Sequence, residues 1–546
     1  MENKTIYYSR DNSSSPSLPK REENDKKARM FFLFILPTLL YGIFFTFFLY
    51  RNFASITMIF YVLVSLCFSF YMLKKLGFQI KSDSLIYGGI MLLLAISSFL
   101  TANPLFITFN FILIFLLNIF LLVYNRYDTS KWHPRTYVIS LLSAIGGMIG
   151  YSFSPFSDFS AYQKEKNKSR HKMAKQIILG FLIALPILVI ILSLLASADP
   201  VFAQLVYKIF QLDWIIKNFF GIAITFFIGF LASYGLMRFL EKHEVKSDTD
   251  SLKRWNFTLM IPLLSLLSLA YIIFSCIQIF YLFLGKFSLP KNYTYAAYAR
   301  EGFFQLLFVS FVNIALVLFV VWFFKEHIST KILLTVLSLS TYIMIASSAM
   351  RMILYIQNYN LTLLRIFVLW SLLVLALILS GILFYIYVES FPLFRYTLMI
   401  STFLFALLSL ARPDYIIASY NLAHMEKLPA DFDYTYYYNY PYKEDIEIYG
   451  DDYLDNYKDL PDDELYEYGE NFDYSKYYAD QFNNRLIEDY SYLENLSADA
   501  ASVIAKTKQE RLLYNYKKHI KTHLPPKGIR YVNLSFETAR ALLGIK

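Results

Sequence analysis

Residues 104–124 read PLFITFNFILIFLLNIFLLVY and carry no charged side chain. A helix needs about 20 apolar residues to cross a hydrocarbon core roughly 30 Å thick. This run has that length, and it lacks the alternation of apolar and polar residues that marks a membrane barrel strand. A helix is the only open spanning element that satisfies its own backbone in lipid. The stretch is therefore expected to be a membrane-spanning helix.

The same template, carried outward, predicts spans at 30–50, 53–73, 84–100, 176–196, 218–240, 255–284, 301–324, 332–356, 365–388 and 394–411. A weaker run, 136–156, contains Gly146, Gly147, Gly150 and Pro155. Composition agrees: 57% of the 546 residues are hydrophobic and 17% are charged, and mean hydropathy is +0.42. That leaves too little polar surface to coat a globule in water. The expected class is an all-α polytopic membrane protein of about 11–12 spanning helices. Soluble enzymes, secreted disulfide scaffolds and disordered polymers are excluded.

Lysine and arginine placement sets the expected orientation. Met1–Arg29 is a polar leader with seven bases, expected to be cytoplasmic and followed by an uncleaved first helix. The loop around Thr101–Asn103 has no base, whereas the next has Arg126, Lys131 and Arg135. Six further bases lie between Lys164 and Lys175. Two base-rich loops thus flank 136–156, which is expected to dip into the membrane and return. On that count the bundle covers 30–412, an interfacial helix covers 199–215, and the C-terminal tail 413–546 is extramembrane, on the outer side.

The tail is chemically different from the bundle. Between Asn421 and Ala500 there are 21 acidic residues against five basic ones. A tyrosine-dense acidic insertion spans 431–490; it does not follow the spacing of a calcium-binding EF-hand loop and reads as a solvated segment that could engage a protein partner. Leucines, isoleucines and tyrosines at helical spacing from Arg485 to Ile520 predict a small C-terminal helical module.

Little here points to catalysis. Cys67 and Cys276 are the only thiols, and the seven histidines fall in loops, at span edges or in the tail, so no cofactor, haem or metal centre is expected and no catalytic motif is present. Charges at the spans are the more informative signal, because an ion in lipid costs at least about 2.5–3.5 kcal/mol on insertion scales. Arg351 lies within 332–356 and Arg365 opens the next span, with Tyr355, Gln357, Asn358, Asn360 and Thr362 at the hairpin top between them. Two readings stand: both arginines snorkel to headgroups, or they form a polar cluster that ties helices together or holds an anionic ligand. Arg300 and Glu301 open another span as a neighbouring ion pair. Asp199 follows a span, either as a helix cap or in a proton or ion role. Asn118, Gln278, Gln305 and Asn313, deeper in the spans, read as interhelical glue.

Five segments, ASADPVF (196–202), YAREGFF (298–304), RMILYIQNYNLTLLR (351–365), ARPDYIIASYN (411–421) and YLENLSADA (492–500), resemble in that order the recurring motifs of a bacterial multi-pass membrane family. It is a domain of unknown function (four-one-seven-three, with its close relative four-one-five-three). The resemblance runs from about residue 170 to the end. Where the family pattern has Tyr-Gly before the Leu-Thr of the third motif, this chain has Tyr359 and Asn360. The resemblance implies a bacterial membrane location, and it singles out Asp199, Arg300, Glu301, Arg351, Arg365, Asp414 and Asn421.

Three functions were weighed. A membrane sensor or scaffold fits the segregation of charge between loops and tail. A transporter for a small, anionic solute fits the span count, although only 18 glycines in 546 residues is few for a machine of broken helices. A lipid-linked glycosyltransferase would need carboxylates in the first outward loop, which here is only Arg51 and Asn52.

Overall fold

The computed structural model describes residues 20–129, 132, 134–166, 191, 194–195, 197–200, 202, 213–243, 255–280, 295–425 and 488–545. Most of the expected span 176–196, most of the interfacial helix 199–215 and nearly all of the acidic insertion 431–490 lie outside the described residues, as does the first part of the leader. Among the described residues every regular element is a helix, and nine helices are long and apolar enough to cross a membrane. The chain divides into two compact units, Met1–Ser98 with Thr108–Ser251, and Phe99–Ile107 with Leu252–Lys546.

The first unit holds α1 (Lys20–Leu49), α2 (Thr57–Lys75), α3 (Ser84–Leu100), most of α4 (Pro104–Arg126), α5 (Pro134–Gly150), α6 (Ser154–Lys166) and α7 (Asp213–Lys242). Helix α1 starts ten residues before the apolar run at Met30, so residues 20–29 of the polar leader are helical. Residues 20–29 are mostly Lys, Arg, Glu and Ala, which are good helix formers. Helices α1 and α7 run antiparallel: Lys26 pairs with Glu241 at 2.8 Å, Phe34 packs edge-on against Tyr234, and Tyr50 donates to Asn218 Oδ1 at 3.1 Å. A Cβ on Gly229 would lie 2.8 Å from the Phe45 ring, so glycine permits this close approach, as small residues do at membrane helix interfaces. The α5–α6 pair bends by 60°. At 17 residues α3 rises roughly 25 Å, at the short end of the spanning range.

The second unit holds the α3–α4 turn and α8 (Ile261–Gln278), α9 (Tyr295–Phe323), α10 (Ile328–Tyr359), α11 (Leu363–Tyr387), α12 (Leu393–Leu410) and α13 (Pro413–His424). After them come α14 (488–494), α15 (Ala501–Ile504), α16 (Glu510–His523) and α17 (Leu534–Leu543). The expected span 255–284 starts late, because Trp255 bridges to Phe324 and a short 3-10 turn capped by Asn256 precedes α8. Side-chain amides tie α8, α9 and α10 together. Tyr271 donates to Asn313 at 2.9 Å, Asn313 donates to Thr341 at 3.0 Å, and Ser347 donates to Gln278 at 2.6 Å. In α16, Leu512, Tyr516 and Ile520 recur every four residues and are buried, while Tyr514, Lys517, Lys518 and Lys521 on the other side are exposed.

Candidate functional site

The polar centre of the second unit forms around the three-residue turn Thr101–Ala102–Asn103. Its geometry follows from the local sequence. Asn103 caps α4, its Oδ1 accepting from Leu105 N at 3.0 Å, and Pro104 suits the first helical position. The α3 carbonyls at the turn have no partner within their own helix. Asn533 Nδ2 donates to Thr101 O at 2.9 Å, and Ser535 Oγ donates to Leu100 O at 3.1 Å. Asn533 in turn caps α17, accepting from Ser535 N and Phe536 N.

Two buried carboxylates take the remaining donors. Asp499 accepts from Thr101 Oγ1, from Ala102 N at 2.8 Å and from Ser535 Oγ. Arg412 lies on its other side, with Nε 3.7 Å from Asp499 Oδ1 and Nη2 donating to Asp499 O and Ser535 Oγ. Burial pushes the Asp499 carboxyl above the usual carboxylate range, against the downward pull of Ser535, Thr101, Ala102 and Arg412. Asp414, in the first turn of α13, accepts from Asn103 Nδ2 at 3.0 Å and from Ser497 N at 3.1 Å. Tyr516 donates to Ser497 O at 2.7 Å; burial raises its phenol, so it stays a neutral donor.

Seven residues along α13, on the same helical face, Asn421 grips the turn between α10 and α11. Its Oδ1 accepts from Leu361 N at 2.8 Å and its Nδ2 donates to Leu361 O at 3.0 Å. Arg365 donates from Nη1 to the carbonyls of Tyr359 and Asn360, closing the end of α10, and its guanidinium lies 4.4 Å from the Tyr355 ring centre. Asn360 has a φ of 62° and donates to Asp489 at 2.7 Å. An asparagine thus makes this turn in a backbone region that favours glycine.

The structure thus brings Asp414 and Asn421 into one network, with Arg365 at its edge. The other candidates lie elsewhere. Arg351 is buried within the second unit, its Nη1 so close to Gly302 that a Cβ there would be 1.9 Å away. Arg300 and Glu301 lie in the first turns of α9, and their side chains are outside the described residues. Asp199 is exposed, its N–H bonded to Leu195 O at 3.0 Å. Asp499, Arg412, Thr101, Asn103, Asn533 and Ser535 were missed by sequence reasoning. Asp499 stood inside the quoted YLENLSADA segment and was counted only among the acids of a solvated stretch.

A family model described as "Domain of unknown function (DUF4153)" matches residues 88–444, well over half of the chain. The match starts ahead of the resemblance expected from residue 170 and stops short of the YLENLSADA segment. All seven residues singled out by sequence fall inside it, and Asp499 falls beyond it. No curated protein and no solved structure matches the chain.

Proposed function

The chain belongs to the DUF4153 family, and we propose that this integral membrane protein serves the bacterial envelope as a sensor or scaffold whose C-terminal module is fastened to the ends of its spans. The carrying observation is the pair of buried carboxylates, Asp499 and Asp414, whose donors come from the Thr101–Asn103 turn and from the module itself. A solute site needs polar groups that can exchange partners. Both carboxylates here already accept from several protein donors, as a structural joint requires.

The same bonds support the orientation. On this reading the three apolar helices before Thr101, α1 to α3, each cross, which puts the turn on the face opposite the base-rich leader. A module bonded to Thr101 and Ala102 shares that face. With the leader in the cytoplasm, the module and the acidic insertion 431–490 are outside, where the insertion can meet a protein partner.

Transport of a small anionic solute is the second reading, and the buried Arg351 favours it. Cells lacking the protein separate the two. Altered envelope-stress transcription with unchanged uptake of anionic solutes is the expected result. Loss of uptake of one solute, reproduced with the purified protein in liposomes, would replace the sensor reading with the transporter.

A further inference from the structure

The C-terminal module bonds both to the turn at 101–103 and to Leu361, so these two points share a membrane face and the chain between them crosses an even number of times. Five described helices of spanning length lie between them: α4, α7, α8, α9 and α10. An odd number of crossings therefore comes from the chain between α4 and α7. Two apolar stretches are present there, the bent α5–α6 pair and residues 176–196. Only one of them can cross.

Packing within the first unit identifies which one turns back. A Cβ on α5 residue Gly147 would lie 2.1 Å from the Phe239 ring, and one on Gly235 would lie 2.3 Å from Met148 O and 3.0 Å from Ser152 N. On α6, Asp158 accepts from Tyr234 at 3.0 Å and pairs with Arg238 at 3.3 Å, while Phe159 and Tyr162 pack on Phe31. The α7 contacts from both halves fall between Tyr234 and Phe239, roughly 7–8 Å of helix, and the α1 contact falls at Phe31. That is the end of α7 where Glu241 pairs with Lys26. Farther along, toward Asn218, α7 is paired with α1 through Tyr50.

We propose that α5–α6 enters the leaflet on the Lys26 side and returns to that side, and that its partner is the acyl chains of that leaflet. Four large apolar side chains face outward along the pair: Leu142, Ile149, Phe153 and Phe156 are each more than 60% exposed. Basic residues flank both ends, Arg135 at one and Lys164 and Lys166 at the other, as expected of a segment anchored at one headgroup layer. A charge cluster holds the wedge in place. Asp158 is buried with Arg238, and Arg238 also donates to Glu241 at 2.7 Å, so each buried ion has an opposite partner.

The test uses the full-length protein with Cys67→Ser and Cys276→Ser, carrying one new cysteine at a time: Arg135→Cys, Phe153→Cys or Lys166→Cys. Intact cells and inverted membrane vesicles are treated with a membrane-impermeant maleimide. The expected result is labelling of Arg135→Cys and Lys166→Cys from the same face and loss of labelling at Phe153→Cys from both faces. Labelling of the two ends from opposite faces, or of Phe153→Cys by the impermeant reagent, would overturn the proposal. Labelling of both ends from outside would keep the wedge and reverse only the orientation proposed above. Because these substitutions lie away from Asp499 and its partners, failure here leaves the sensor or scaffold reading standing.

Discussion

Asp499 concentrates the site in one carboxylate, because it serves the α3–α4 turn, α17 and Arg412 together. Asp499→Ala leaves Thr101 Oγ1, Ala102 N and Ser535 Oγ without this acceptor and should lower stability by about 1–3 kcal/mol for each donor left buried and unsatisfied; thermal unfolding of the purified protein in detergent measures it. The raised carboxyl also fixes a sign. Its folded value lies above its unfolded one, so the folded protein takes up the proton first as pH falls. Stability from this group should rise from about pH 7 toward about pH 4 and be lost again as pH climbs through the raised value. The difference in unfolding temperature across that range should shrink in Asp499→Asn; an unchanged difference would remove Asp499 as its source. Asn360 gives a second residue-scale test. Its φ of 62° with ψ near 178° belongs to a region that costs of order 1–3 kcal/mol outside glycine. Asn360→Ala keeps that strain and loses the Asp489 bond, so it should destabilise, whereas Asn360→Gly relieves the strain and should be close to neutral.

The helices were legible in the sequence, because runs such as 104–124 and 365–388 are set by length and hydropathy alone. Their irregular ends were not. The hydropathy of 255–260 continues that of α8, yet Asn256 and Pro262 delay the helix to Ile261. Gly146, Gly147, Gly150 and Pro155 marked 136–156 as irregular, and of the three glycines only Gly147 meets a neighbour, Phe239, while Gly235 on the facing helix meets the backbone of the bend. A methyl at Gly235 has only backbone to push against. Gly235→Ala should therefore loosen α5–α6 from α7, seen as faster hydrogen exchange over 134–162 with little change over 363–410. Gly150→Ala, with nothing within 4 Å of its Cβ, should leave exchange unaltered.

At the scale of the whole molecule, charge placement gave an expected orientation, and the motif segments contained Asp414 and Asn421, which the structure places on one face of α13. The receiving side of the network stayed hidden. Thr101, Ala102 and Asn103 are ordinary turn residues, and no local pattern announces partners nearly 400 positions away. A reporter active only outside the cytoplasm, fused after Lys546, should be active, and a cytoplasmic reporter at the same point should be silent. The separation of Thr101 and Asp499 by 398 positions also imposes a timetable. At about 5–20 residues per second, the ribosome needs roughly 20–80 s to reach Asp499 after making Thr101. Throughout that interval the early helices wait in the bilayer with the carbonyls of Leu100 and Thr101 lacking their eventual donors. A chain that stops short of Asn533 keeps those two carbonyls without the donors that Asn533 and Ser535 supply.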